Sequence, residues 1–260
     1  MKNVSKLLFI GICVLAFAGL SFNAVADSHE SPPDKADLWI VHVKPGKAGE
    51  FEAAYKAHLE FRAEKGDPRD WETYTVAVGD DLGSYGIRFC CVDWADADAY
   101  DAWSAEAGAG DHWNANVDQY IKRYEHYYTA IDFENSHWPE GETNFSLFGV
   151  TRWELKLGSF QQMNDAKTKM SSLAKEHGWP RYWSWSSRVG GTGGISIVSP
   201  YENYAGMEPP EQSFTEFLIE NMDSPEEALG LLNSFSTSFS SSTYTVYRLR
   251  DDLSMSSDEE

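Results

Sequence analysis

Two residues that match in position but differ in type offer the simplest chemistry in this chain. His42 lies in the strand-like run "DLWIVHVKPG", and Glu154 takes the same place in "FGVTRWELKLG", 112 positions later. If those two strands face one another, a histidine and a carboxylate come together. Such a pair can pass a proton to and from a bound molecule, which is general acid–base catalysis; an ordinary interior ion pair is the plainer alternative. Arg88 and Arg152 are cations suited to holding an anionic substrate oxygen. Tyr182 and Trp185, in "GWPRYWSW" (Gly178–Trp185), add aromatic surface for a ligand.

The other chemical motifs are missing. His58 occupies a core-facing helical position, and His112 lies in "AGAGDHWNAN", where a loop or a helix start capped by Asp111 is expected. His126 falls on a strand and His137 in a polar connection. None of the histidines forms H-x-H, H-E-x-x-H or a Cys/His zinc spacing, so no metal site is expected. Covalent haem attachment through C-x-x-C-H is absent. A non-covalent haem held by one histidine leaves no spacing signature, so haem stays an open alternative to a cofactor-free protein. "GGTGG" (Gly190–Gly194) falls in a hairpin, whereas a phosphate cradle needs a strand-to-helix context. No G-x-S-x-G nucleophile elbow occurs.

The elements that position these residues come in two copies. Lys44-x-Gly46 matches Lys156-x-Gly158, and "GDPRDWET" matches "GWPRYWSW", both at a spacing of 112. Between them, Phe51, Ala54, His58 and Phe61 recur at helical steps, as do Met163, Ala166, Met170 and Leu173, which marks one buried helix face per copy. A strand precedes each helix and two strands joined by a turn follow it. A second helical region comes next, at Ala97–Ala107 and Trp113–Arg123 in the first copy and at Ser213–Met222 and Pro225–Phe239 in the second. Each copy closes on a Tyr-Thr strand, "HYYTAIDF" and "STYTVYRL". The order β-α-β-β-α-β therefore occurs twice, and it is the ferredoxin-like unit. Helices cover one face of each sheet, and packing the two sheets together covers the other. On the first strands, Trp39, Val41, Val43, Trp153 and Leu155 are expected under the helices. The opposite parity (Ile40, His42, Arg152, Glu154) would face the other half.

Residues shared by both copies, such as Arg69/Arg181 and Trp71/Trp183, suit a structural role. Those found in one copy only are better site candidates: Tyr182 has Asp70 as its counterpart, and Trp185 has Thr73. "EPPEQSFTEFLIEN" (Glu208–Asn221) is an acidic insertion in the second copy, placed to cap one end of a barrel or to touch another subunit.

In element order and duplication, the chain resembles the dimeric α/β-barrel superfamily (antibiotic-biosynthesis-monooxygenase, NIPSNAP-like and EthD-like proteins), with both barrel halves in one polypeptide. The resemblance covers most of Asp37–Leu253 and implies an α+β fold of two tandem ferredoxin-like units that form an intrachain barrel. It carries over no catalytic residue. Members of the superfamily include small-molecule oxygenases, isomerases, dehalogenases, haem enzymes and non-catalytic binders.

The chain has 41 acidic and 21 basic residues and a net charge of −20, which disfavours nucleic acid and anionic membranes as partners. Residues 1–26, with Lys2, Lys6, an apolar run over Leu7–Leu20 and Ala24-Val25-Ala26, read as a secretory signal peptide. Cleavage there would leave 19 basic residues and a charge of −22, and would place the protein in the periplasm or outside the cell. Cys90 and Cys91 read as two small strand residues on opposite faces. The expected organisation is a flexible start at 27–36, repeats at 37–133 and 145–253, a linker at 134–144 and an acidic tail at 254–260. Taken together, these features suggest an exported barrel, monomeric or homodimeric, that handles a small apolar or aromatic molecule. It would be a cofactor-independent, monooxygenase- or isomerase-like enzyme, or alternatively a non-catalytic binding or stress-related protein.

Overall fold

The computed structural model describes residues 32–141 and 143–255; the expected leader and most of the acidic tail lie outside them. The first half runs β1 (Lys35–Val43), α1 (Ala48–Glu64), β2 (Glu72–Val78), β3 (Ser84–Val92), α2 (Trp94–Ala107), α3 (Ala109–Asn116) and β4 (Ile121–His137). The second repeats the order with β5 (Leu147–Leu155), α4 (Phe160–Glu176), β6 (Trp183–Val189), β7 (Ile195–Tyr201), α5 (Phe214–Glu220), α6 (Pro225–Ser236) and β8 (Phe239–Leu249). All eight strands close into one barrel in the order β1-β3-β2-β8-β5-β7-β6-β4. Every neighbouring pair is antiparallel, and β2·β8 and β4·β6 form the seams between halves. Closure removes the free sheet edges that each half would otherwise expose.

Alternation along the strands divides the side chains between two environments. Trp39, Val41 and Val43 pack with Phe51, Tyr55 and Leu59 of α1 in one core. Trp153 and Leu155 pack with Met163, Met170 and Leu173 of α4 in the other. The opposite parity, including Ile40, His42 and Arg152, points into the barrel. α1 and α4 start and stop at corresponding residues, and Gly66 and Gly178, both at φ 68°, follow them in the left-handed conformation that ends a helix. α2 and α5 begin with capping boxes, Asp93 with Asp96 and Ser213 with Glu216. α6 begins with Ser224 as cap and Pro225 in its first turn.

Several local expectations give way to the barrel. β1 already begins at Lys35, and β4 runs through His137 into the stretch expected to be linker. The second helical segment of the first half stops at Asn116, and Ile121–Arg123 belongs to β4, because those residues pair with the end of β1. α3 starts at Ala109 after a left-handed Gly108, so Asp111 lies in its first turn instead of capping it. Cys90 and Cys91 are joined by a disulfide across a cis peptide, which sets aside the alternation that would separate neighbouring strand side chains. At the end of the chain, Leu253 is buried in the first core, and Ser254 and Met255 hydrogen-bond the backbone of Thr73 and Trp71.

Candidate active cleft in the second half

Between α4 and the outer face of β6 and β7 lies a cleft of about 390 Å³, within the size range of small-molecule sites. α4 contributes Met170, Ser171 and Ala174, and the turn that follows contributes Trp179 and Arg181. Trp183 and Trp185 come from β6, and Ile197, Ser199 and Tyr201 from β7. Met207, Pro209, Pro210 and Phe214 close it from the insertion before α5. A larger hollow of about 520 Å³ along Glu211, Glu216 and Glu220 is an open surface groove with little to enclose a ligand.

The cleft is mainly apolar, and the indole N–H groups of its two β6 tryptophans are used elsewhere. The Trp183 Nε1–H donates to the Asn135 carbonyl at 2.8 Å, and the Trp185 Nε1–H donates to Ser171 Oγ at 3.1 Å. Both indoles therefore offer ring surface alone. Trp179 packs edge-on against Phe214 and is tilted against Phe217, which ties the turn to α5.

Arg181 is the one charged side chain in the lining. It donates through Nη1 to the Gly206 carbonyl at 2.6 Å and through Nη2 to the Glu208 carbonyl, which leaves further N–H groups of its five free. The matching arginine of the first half is held differently. There Arg69 donates to Asp37 at 2.7 Å, and its guanidinium lies 3.5 Å from the Tyr100 ring centroid. Asp37 also accepts from His126 Nε2 at 2.9 Å, and His126 stacks on Trp39. The residue matching Asp37 is Gly149, which has no side chain to hold Arg181 down. A Cβ at Gly149 would come within 2.4 Å of the Tyr244 hydroxyl and 3.1 Å of Tyr201, so the glycine also lets those two rings approach.

The sequence-derived candidates separate between two places. Trp185 lines the cleft. Tyr182 does not: it is 41% exposed and packs toward His137 and Phe145. The other candidates are on the barrel's inner parity. His42 and Glu154 are not brought together. His42 Nε2 meets Glu125 Oε1 at 2.9 Å, and its Nδ1 meets Ser84 Oγ at 2.8 Å, while Glu154 is exposed beside Ser241 of β8. The cause is the register of β1 on β4, which sets Glu125 opposite Ile40, beside His42. Burial would raise the Glu125 carboxyl, but hydrogen bonds from His42 and Arg123 outweigh it and hold it below its ordinary value. Arg88 is engaged by Glu72 at 3.2 Å, and Glu72 also accepts from Tyr74. Arg152 reaches the Tyr127 hydroxyl at 3.4 Å. The sequence reading missed Glu125 and Arg181; the exchange of Asp37 for Gly149 was the signal for Arg181.

Among the described residues there is no cluster of His, Cys, Asp and Glu able to hold a metal ion, and no helix long and apolar enough to cross a membrane. A haem in the cleft would have to use Met170, Met207 or Tyr201 as iron ligand, with no imidazole or thiolate in the lining. The residues present do not fit that group.

No protein-family model matches the chain, and no curated protein matches it in sequence. Among solved structures it is similar to an anthrone oxidase-like protein, with a TM-score of 0.51 and 9% identity, covering 88% of this chain and 95% of that one. It is also similar to a variant of chlorite dismutase from Candidatus Nitrospira defluvii (TM-score 0.52, 8% identity, coverage 85% and 94%). A third similar structure is a proposed monooxygenase from Fusobacterium nucleatum subsp. nucleatum (TM-score 0.53, 8% identity, coverage 86% and 95%). With eight strands closed into one barrel and a ferredoxin-like unit in each half, the chain has the dimeric α/β-barrel fold, both halves lying in a single polypeptide.

Proposed function

We infer that this protein binds a small, flat, apolar or aromatic molecule in the cleft of its second half, with an anionic or polar edge turned toward Arg181. The observation that carries this reading is the aromatic lining of the roughly 390 Å³ cleft, whose indole N–H groups on β6 are already satisfied. The solved structures named as oxidase and monooxygenase add support, since their names imply small-molecule chemistry on the same fold. Acid–base turnover would need a proton acceptor at the ligand, and the lining contains no His, Asp or Glu. Binding without turnover is therefore the form the geometry favours. The leader-like residues 1–26 support export, with the ligand met outside the cytoplasm.

The test is a thermal-shift panel of small aromatic acids, quinones and haem. A ligand at a hundred times its Kd adds about 2.7 kcal/mol, which for a domain of this size is a rise of roughly 5–10 °C. The rise is expected for an aromatic acid and is expected to vanish in Ser199→Phe, which fills the cleft. A rise that persists in that variant, or none across the panel, would overturn the proposal.

A further inference from the structure

The barrel lumen holds a second arrangement with the character of a ligand site, independent of the cleft. Trp183 and Trp185 point outward from β6, so Arg188 points inward, as Arg152 does from β5. Both flank one ring from the first half. The Arg188 guanidinium lies 4.2 Å from the Tyr127 ring centroid, and that of Arg152 lies 6.0 Å from it, with Nη2 3.4 Å from the hydroxyl oxygen. Among the described residues neither arginine forms an ion pair with a carboxylate. Arg188 has one long hydrogen bond, to the Thr192 carbonyl at 3.5 Å.

Two adjacent cations without a counterion are out of character for a chain with 41 acidic and 21 basic residues. Burial first, and then the nearby charge of Arg152, lowers the proton affinity of Arg188. Glu125 lies close enough to oppose this, but it is already held by Arg123 at 2.6 Å and His42 at 2.9 Å. Nor does the fold require the pair. The matching residues of the first half are Ile40 and Val76, and Tyr127 is matched by Thr243. Both arginines are half-buried, and Arg188 stands two residues before the glycine-rich hairpin at that end of the barrel. They are partly desolvated without being sealed.

We propose that Arg152, Arg188 and the Tyr127 hydroxyl form a lumenal site for a small oxyanion, either a carboxylate or inorganic phosphate. Guanidinium groups suit this chemistry because their planar N–H pairs match the oxygens of such anions.

The experiment compares melting temperatures and isothermal titrations in chloride, phosphate and acetate at equal ionic strength. Phosphate or acetate is expected to raise the melting temperature beyond chloride, and whichever binds more tightly identifies the class of anion. Arg188→Val, which installs the first-half residue, is expected to abolish that rise. It should also melt no lower than wild type in anion-free, low-salt buffer, since it relieves a repulsion. Tyr127→Phe, which removes only a hydroxyl, is expected to fold and to weaken anion binding about tenfold. Ser199→Phe in the cleft should leave the anion effect unchanged, so failure of one site is distinguishable from failure of the other. Equal melting temperatures in the three salts would overturn the proposal. So would an undiminished phosphate effect in both Arg188→Val and Tyr127→Phe.

Discussion

His58 should make the fold sensitive to mild acid, and replacing it should remove part of that sensitivity. The residue is 1% exposed on the buried face of α1. Its Nε2 faces Arg62 Nη1 at 3.4 Å, and its Nδ1 meets His112 Nδ1 at 3.0 Å. Arg62 can only donate, so Nε2 must accept, and the His58 proton lies on Nδ1, shared toward His112. A second proton would have to enter at Nε2, against a guanidinium and away from water. Burial, followed by the charges of Arg62 and His112, lowers the His58 pKa from 6.5 to about 3. The unfolded chain then binds more protons than the native one between those values, so stability falls as pH falls below 6.5. At about 1.4 kcal/mol per pH unit, the loss from His58 between pH 8 and pH 5 is roughly 2 kcal/mol. His58→Met installs the residue found at the matching position, Met170. Urea unfolding of wild type and variant at pH 8 and pH 5 should show the stability difference moving by about 2 kcal/mol in favour of the variant on acidification. The same pH dependence in both proteins would refute the reasoning.

Two further outcomes follow from the packing. Asp37→Ala strands the Arg69 guanidinium, which is 3% exposed and already has Nη2 without a partner; a loss of about 3–5 kcal/mol is expected in urea unfolding, and a loss below about 1 kcal/mol would mean the pair is solvated. Gly194→Ala would bring a Cβ to 2.2 Å from the Trp153 carbonyl oxygen, a backbone atom that cannot turn aside. A cost of about 1–3 kcal/mol is expected in the same assay, and an unchanged midpoint would show that the hairpin re-forms elsewhere.

The features legible in the sequence were those governed by period and by repetition. α1 and α4 follow from apolar residues at helical steps, and the parity of β1 and β5 from alternation, both reinforced by the spacing of 112. What stayed hidden depends on pairings between distant strands. Glu125 is 83 residues from His42, and only the register of β4 on β1 brings them together. Of the two aromatic candidates, Trp185 lines the cleft, whereas Tyr182, beside Arg181 and Trp183, turns away from the space they line. The insertion that closes the cleft with Met207, Pro209, Pro210 and Phe214 has a fold that is not evident from its composition. The His58–His112 contact likewise joins α1 to α3 across a packing angle that no spacing encodes.

The most direct test of the proposed binding function is a crystal structure grown with the aromatic acid that gives the largest thermal shift. The expected result is a ring between Met170, Trp185 and Tyr201, with its carboxylate toward Arg181. A ligand bound elsewhere, or a cleft closed by inward movement of Phe214, would contradict it.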